Sequence, residues 1–263
     1  VKSLPSLQLP SFFPSTFASP ALAPLSTLAA LLLSLQAPAT PPPEPLHKAT
    51  FRGLSWDSVI TDLNIYHGAK VIPIALYPNG RSGFYDYLGP DPMLFFREVT
   101  GTDGKTVPQL SGSVPLRDFK ERTLLIFFSK PGDPKQYLVT SVDDSDAAIP
   151  PGGYCFINLS KANLQVKCGA SQGKVAAGQS NTLRGNPADN GGITALQVDA
   201  ETPDGKINHV YSNMLPFGKT NRTLVFVSQP PNTNTFEIKR ITEDAAMLPK
   251  PSPRKKHRTL PSD

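Results

Sequence analysis

Arg122–Pro150 reads RTLLIFFSKPGDPKQYLVTSVDDSDAAIP, and Arg222–Pro249 answers it with RTLVFVSQPPNTNTFEIKRITEDAAMLP. Arg-Thr-Leu recurs in register, Ser129 and Pro131 match Ser228 and Pro230, Tyr137 falls on Phe236, Val142 on Ile241 and Asp144 on Glu243. An internal repeat decides the architecture, because each copy must then be one folding unit or part of one. In both copies an apolar run leads into a Pro-rich turn and then an alternating segment. This pattern predicts a hairpin that closes a domain of roughly a hundred residues.

Upstream, the correspondence continues. Copy one opens at FRGLSW (Phe51 to Trp56) and copy two at FINLSK (Phe156 to Lys161). Strands are expected at Asp62 to Tyr66 and Leu164 to Cys168, followed by the turns Gly68-Ala69 and Gly169-Ala170. Leu94 to Val99 and Ala195 to Ala200 each precede an Asp-Gly turn (Asp103-Gly104, Asp204-Gly205). Asp-Gly between strand-like residues marks a hairpin, since Gly adopts positive φ without a Cβ clash. Taken alone, Glu237 to Leu248 has near-helical spacing of Ile238, Ile241 and Ala245, but its β-rich counterpart in copy one makes it a strand.

Six or seven short strands per copy suffice to close a two-sheet sandwich. With 29 Pro and 19 Gly among 263 residues, few windows can hold a helix, so the fold class is all-β. The expected organisation is a signal peptide over 1–39, a Pro-rich linker over 40–48, sandwiches over 49–150 and 151–249, and a basic disordered tail over 250–263. The leader rests on the apolar run Leu25 to Leu35 and the small-x-small site Ala37-Pro38-Ala39. That run is too short to span a bilayer, which takes about 20 residues.

The chain carries a net charge of +5. Residues 51–249 hold 19 basic and 19 acidic residues, so the excess sits mainly in the tail, at Lys250, Arg254, Lys255, Lys256 and Arg258. A neutral body lacks the basic face that nucleic-acid backbones require. The tail cations suit contact with anionic surfaces.

The joint between the copies, Asp143-Asp144, Pro150, Gly152 and then Phe-Ile-Asn-Leu-Ser at Phe156 to Ser160 with an alternating strand after it, resembles a bacterial family of domains of unknown function. Those domains occur in tandem in secreted and surface proteins. The resemblance covers about residues 50–249 and implies two tandem Ig-like antiparallel β-sandwich domains in a secreted or periplasmic, envelope-associated protein, with no known catalytic residues. Copy one departs from the pattern in reading Gly53 where copy two has Asn158.

Candidate chemistry is sparse. If Asn158-Leu159 pairs with Leu164-Gln165 in a hairpin, Cys155 lies opposite Cys168, within reach of a disulfide in an exported protein. Gly169-Ala170-Ser171-Gln172-Gly173 has the G-x-S-x-G form of serine hydrolases, with Asp199 and His209 downstream, but the sequel is too short and glycine-interrupted for the helix that motif needs. The histidines (His47, His67, His209, His257) have no metal-ligand spacing, and Asp143, Asp144 and Asp146 lack an EF-hand's order, so no metal or cofactor is expected. Copy one inserts Gly83-Phe84-Tyr85-Asp86-Tyr87 where copy two is polar. Phe84, Tyr85 and Tyr87 are either core residues of a strand or a contact surface for a glycan, peptide or protein partner. The expected function is non-enzymatic, structural or binding.

Overall fold

A computed structural model describes residues 46–185, 192–202, 205–230, 233 and 235–248. The expected leader, most of the linker and the basic tail with Arg254, Lys255, Lys256 and Arg258 lie outside the described residues. Within them the protein is all-β, with 3-10 turns at Leu116–Asp118 and Ala245–Met247 and no α-helix. Eight strands precede the joint: β1 (His47–Ser55), β2 (Ile60–His67), β3 (Lys70–Leu76), β4 (Tyr85–Gly89), β5 (Met93–Thr100), β6 (Thr106–Val114), β7 (Thr123–Lys130) and β8 (Asp133–Asp143). Eight follow it: β9 (Gly153–Asn158), β10 (Asn163–Cys168), β11 (Ser171–Val175), β12 (Ser180–Arg184), β13 (Ile193–Glu201), β14 (Ile207–Pro216), β15 (Asn221–Ser228) and β16 (Glu237–Asp244). The segment with helical spacing is thus strand β16. Its Ile238 packs into the core of the second half, with Phe236 just ahead of it, while Ile241 packs on the other side.

The second half forms two sheets, β11-β10-β13-β14 and β12-β9-β15-β16. In the first half the path runs β6-β5-β2-β4-β1-β7-β8 with β3 on β2. There β2 and β4 are joined at a single pair, His67 with Leu88. Divided at that pair, its orders are β3-β2-β5-β6 and β4-β1-β7-β8, strand for strand those of the second half.

The pairing is not purely antiparallel. β1 runs parallel to β7 from Phe51–Thr123 to Ser55–Phe127, and β9 parallel to β15 from Tyr154–Thr223 to Asn158–Val227. A parallel neighbour needs a long crossover. Here strands β2–β6 and β10–β14 supply it in place of a helix. These central strands are buried on both faces, which is why LLIF in β7 and LVFV in β15 are continuous apolar runs with no polar alternation.

Alternate residues of the central strands enter different cores. Phe51, Leu125 and Phe127 face the core of the first half, and Tyr154, Phe156, Val225 and Val227 that of the second. The intervening residues, Leu54, Leu124 and Ile126 from one half and Cys155, Ile157, Leu224 and Phe226 from the other, form a third core with Ile149 of the joint. Trp56 packs on it, edge-on to Phe226 with ring centroids 5.2 Å apart. The joint is tied down as well: Asp144 N donates to the Arg122 carbonyl, Ile149 N to Ser145 and Gly152 N to Asn221. A hinge at Pro150-Pro151 would have to open this core.

The expected hairpin from Asn158 to Leu164 does not form. β9 pairs with β12 and β15, and β10 with β11 and β13. The buried Asn158 side chain turns the chain out of its sheet. Its Nδ2 donates to the carbonyls of Ala162 (2.7 Å) and Val175 (3.1 Å), and its Oδ1 accepts from Ser160 N (3.0 Å) and Ser160 Oγ (2.7 Å). The expected match of Gly53 with Asn158 is corrected by the register: Ser55 pairs with Phe127 as Asn158 pairs with Val227, so Ser55 holds the place of Asn158 and Gly53 that of Phe156. At Gly53 a Cβ would overlap Cδ2 of Leu76.

Candidate functional site

The most concentrated chemistry in the described residues is a charge cluster where the two halves meet. Arg222, at the start of β15, is fully buried. Its Nε donates to the Ile149 carbonyl (2.7 Å), and its Nη2 to Asp144 Oδ1 (3.1 Å) and to the carbonyls of Ser145 (3.3 Å) and Asp144. Its Nη1 reaches Glu243 Oε1 on β16 at 3.4 Å. From β1, Arg52 places Nη2 2.5 Å from Glu243 Oε2 and Nη1 3.7 Å from Asp144 Oδ2, while its Nε donates to the Ser82 carbonyl (2.8 Å). Arg81, between β3 and β4, donates from Nη2 to Asp144 Oδ1 (3.1 Å). Nearer solvent, Arg122 bonds Asp146 at 2.8 Å.

Burial acts to raise the Glu243 carboxyl, but the Arg52 hydrogen bond and the charges of Arg81, Arg52 and Arg222 outweigh it and hold the group below the ordinary glutamate range. Burial also lowers the Arg222 guanidinium, against the pull of Asp144. Such ion pairs add little net stability over apolar packing, yet stripping one partner leaves a buried charge unpaired. The arrangement therefore specifies how the halves dock more than how tightly. Arg122 and Arg222, and Asp144 and Glu243, are the residues matched between the two copies. Charges repeated at the ends of apolar runs were the sequence clue to this cluster; Arg52 and Arg81 left none.

The residues singled out in the sequence scatter around it. Cys155 stands beside Thr182 and Leu224 in the third core, and Cys168 beside Ser171 and Leu196 in the core of the second half. Both are free thiols on different sheets, so the expected pairing of Cys155 with Cys168 is corrected by the strand partners. Burial raises both, Cys168 to about 12.

Ser171 begins β11 after a two-residue turn in which Gly169 has φ 58°. A strand follows where a nucleophile elbow needs a helix. His209 Nδ1 and Asp199 Oδ1 are 2.8 Å apart, but Asp199 lies in the row of Gln165 and Lys174, three residues along β11 from Ser171. At about 3.3 Å per residue that is roughly 10 Å.

Tyr87 is 1% exposed and belongs to the first core, with its hydroxyl donating to the Pro90 carbonyl at 2.7 Å. Tyr85 is half-buried against Phe51, and its hydroxyl bonds both Ala75 N and the Ala75 carbonyl. Both lie on strand β4, as the strand reading expects. Phe84 alone is exposed, and its ring lies under the guanidinium groups of Arg52 (5.2 Å) and Arg122 (5.8 Å).

A cleft of about 750 Å³ opens at one end of the second half, lined by Lys161, Asn163, Glu201, Asn208, Gln229 and Phe236. Among the described residues no group of three or more His, Cys, Asp or Glu is placed to hold a metal ion, and no helix is long and apolar enough to cross a membrane. No protein-family model and no curated protein matches the chain.

Proposed function

We propose that this is a secreted or envelope-associated, non-enzymatic protein of two tandem Ig-like β-sandwich domains that arose by duplication, with a structural or binding role. The observation that carries the reading is the matching strand order of the two halves, including the unusual parallel pairs β1–β7 and β9–β15. A chance resemblance of RTL motifs would not reproduce a parallel pair at the same place in each half. The non-enzymatic part is supported by the separation of Ser171 from the His209–Asp199 pair. The deciding experiment is subcellular fractionation of the producing cells with sequencing of the mature N-terminus. Recovery in the extracellular or envelope fraction with the leader removed is expected; a cytosolic protein with residues 1–39 intact would refute the assignment. Fluorophosphonate labelling abolished by Ser171→Ala would instead establish the hydrolase alternative.

The cleft favours the binding form of this role. Phe236 offers an aromatic face beside the amides of Asn163, Asn208 and Gln229, a combination suited to a glycan or an extended peptide. Glycan and peptide arrays probed with the native protein and Phe236→Ala test it: binding lost in the variant supports the cleft, and equal binding by both places the contact elsewhere.

A further inference from the structure

Inside the junction, three guanidinium groups face two carboxylates. The side chains of Arg52, Arg81 and Arg222 are 7%, 1% and 0% exposed, and those of Asp144 and Glu243 1% and 14%. One positive charge is therefore left over in the interior. Asp146 does not cancel it: although 3.8 Å from Arg222 Nε, it is mostly solvent-exposed and already bonded to Arg122.

The surplus coincides with unused donors. Arg81 makes its hydrogen bond through Nη2 alone; its buried Nε stands 3.9 Å from Glu243 Oε1, the buried Nη1 of Arg52 stands 3.7 Å from Asp144 Oδ2, and these two donors, Asp144 Oδ2 and the Arg81 Nη1 are all without a hydrogen-bond partner. A guanidinium carries five N–H groups and no acceptor, so only an acceptor can satisfy them. A buried charge without a counter-charge is among the costliest arrangements a protein can hold. The guanidinium groups of Arg52 and Arg122 stack on the partly exposed ring of Phe84. Arg81 and Phe84 both belong to the segment of copy one that is longer than its counterpart in copy two.

We propose that Arg81 and Arg52 hold one small monovalent anion of the halide class at the junction. A monoanion brings the buried charges of Arg52, Arg81, Arg222, Asp144 and Glu243 to zero, whereas a dianion would overshoot beside two carboxylates. The ion is a structural counter-charge that completes the docking of the halves, and the inference is independent of where the protein resides or what it binds.

Anomalous diffraction from crystals of the full chain grown in bromide tests this directly. A peak within hydrogen-bond reach of the Arg81 Nε or Nη1 is expected. Peaks only at exposed cations (an adventitious ion only), or an ordered water at Arg81 in place of bromide, would overturn it. In solution, the melting temperature of the native protein should rise with each ten-fold increase in bromide, with gluconate keeping ionic strength constant. Arg81→Met removes both the donors and the surplus charge, so its melting temperature should not respond. An equal response in both proteins, or none in the native one, counts against the site. Should Arg81→Met fail to fold, the diffraction result on the native protein decides alone.

Discussion

Arg222 and Asp144 stand 78 residues apart in the chain, yet Arg222 Nη2 donates to Asp144 Oδ1 at 3.1 Å with both side chains buried. Asp144 directly follows the last strand of the first half, and Arg222 lies at the start of a central strand of the second. Their contact closes the same interface that the Leu54, Leu124, Ile126, Leu224 and Phe226 core fills with apolar atoms. Apolar burial supplies the attraction there and is indifferent to orientation. Directional bonds from one guanidinium to Asp144, Ser145 and Ile149 set the register.

Breaking this pair on one side should be severe. Arg222→Met removes the donor to Asp144 Oδ1 and to the buried carbonyls of Asp144, Ser145 and Ile149, and Asp144→Asn leaves three guanidinium groups facing Glu243. Each single variant is expected to lose about 3–5 kcal/mol of unfolding free energy. The double variant should lose less than the sum of the two, since neither charge is then left without its partner. Urea denaturation of the four proteins measures the coupling; strict additivity would show that the two side chains act separately.

Acid should weaken the fold through the depressed carboxylates. Glu243 is held low as described, and the Asp62 carboxyl is lowered chiefly by the hydrogen bond from Arg97, whose Nε lies 2.5 Å away. A group with a folded-state pKa below its unfolded value contributes stability that is fully present above the unfolded pKa and disappears as pH falls through the folded one. Melting temperature should therefore hold from neutrality down to about pH 4–5 and fall below it. In Glu243→Gln the native protein starts lower and the acid decline is shallower. An unchanged slope in the variant would place the acid-sensitive groups elsewhere.

Both cysteines should be inert in the native state. Burial disfavours the thiolate of each, to about 12 for Cys168, and the thiolate is the reactive form. Alkylation followed by mass measurement is expected to show no adduct on the native protein and two after denaturation. Rapid single labelling under native conditions would mean that one of the two cores opens on the experimental timescale.

Trp56 offers an optical report on the junction. It lies between Phe128 and Phe226, and Lys239 Nζ approaches its ring at 4.6 Å while donating to the Trp56 carbonyl at 2.6 Å. Phe226→Ala removes a fully buried ring from the third core and should cost about 3–5 kcal/mol. Its effect should include a red-shifted native emission as water reaches the indole. An unshifted spectrum would indicate that the halves close over the cavity.

Gly53→Ala probes the close packing within copy one. The added methyl would overlap Leu76, itself fully buried, so overpacking by about 1–3 kcal/mol is expected. A neutral result in thermal unfolding would show that Leu76 has another rotamer open to it.

Much of the local structure was legible in the residues themselves. Period-two patterns at Leu164 to Cys168 and Ala195 to Ala200, the Asp103-Gly104 turn and the β-rich counterpart of Glu237–Asp244 each specify strands or turns from neighbours in sequence. The all-β class follows from these and from the proline and glycine content. Which strands pair is a separate matter, because a ladder satisfies backbone groups equally well with any strand of the right length. The expected Cys155–Cys168 hairpin failed for that reason: Asn158 diverts the chain through hydrogen bonds to Ala162 and Val175, one of them a residue 17 positions on.

By itself, then, the sequence determined that the chain folds as strands and turns with matching closing hairpins, since side-chain periodicity and turn chemistry act over a few residues. Only the tertiary structure decided that β7 and β15 lie parallel to β1 and β9 with both faces buried. A run of apolar residues carries no period to say which side meets which core. Only the tertiary structure, too, gathered Arg52, Arg81 and Arg222 around Asp144 and Glu243. Those charges come from five separate segments, and what unites them is the burial of the surface on which the two halves dock.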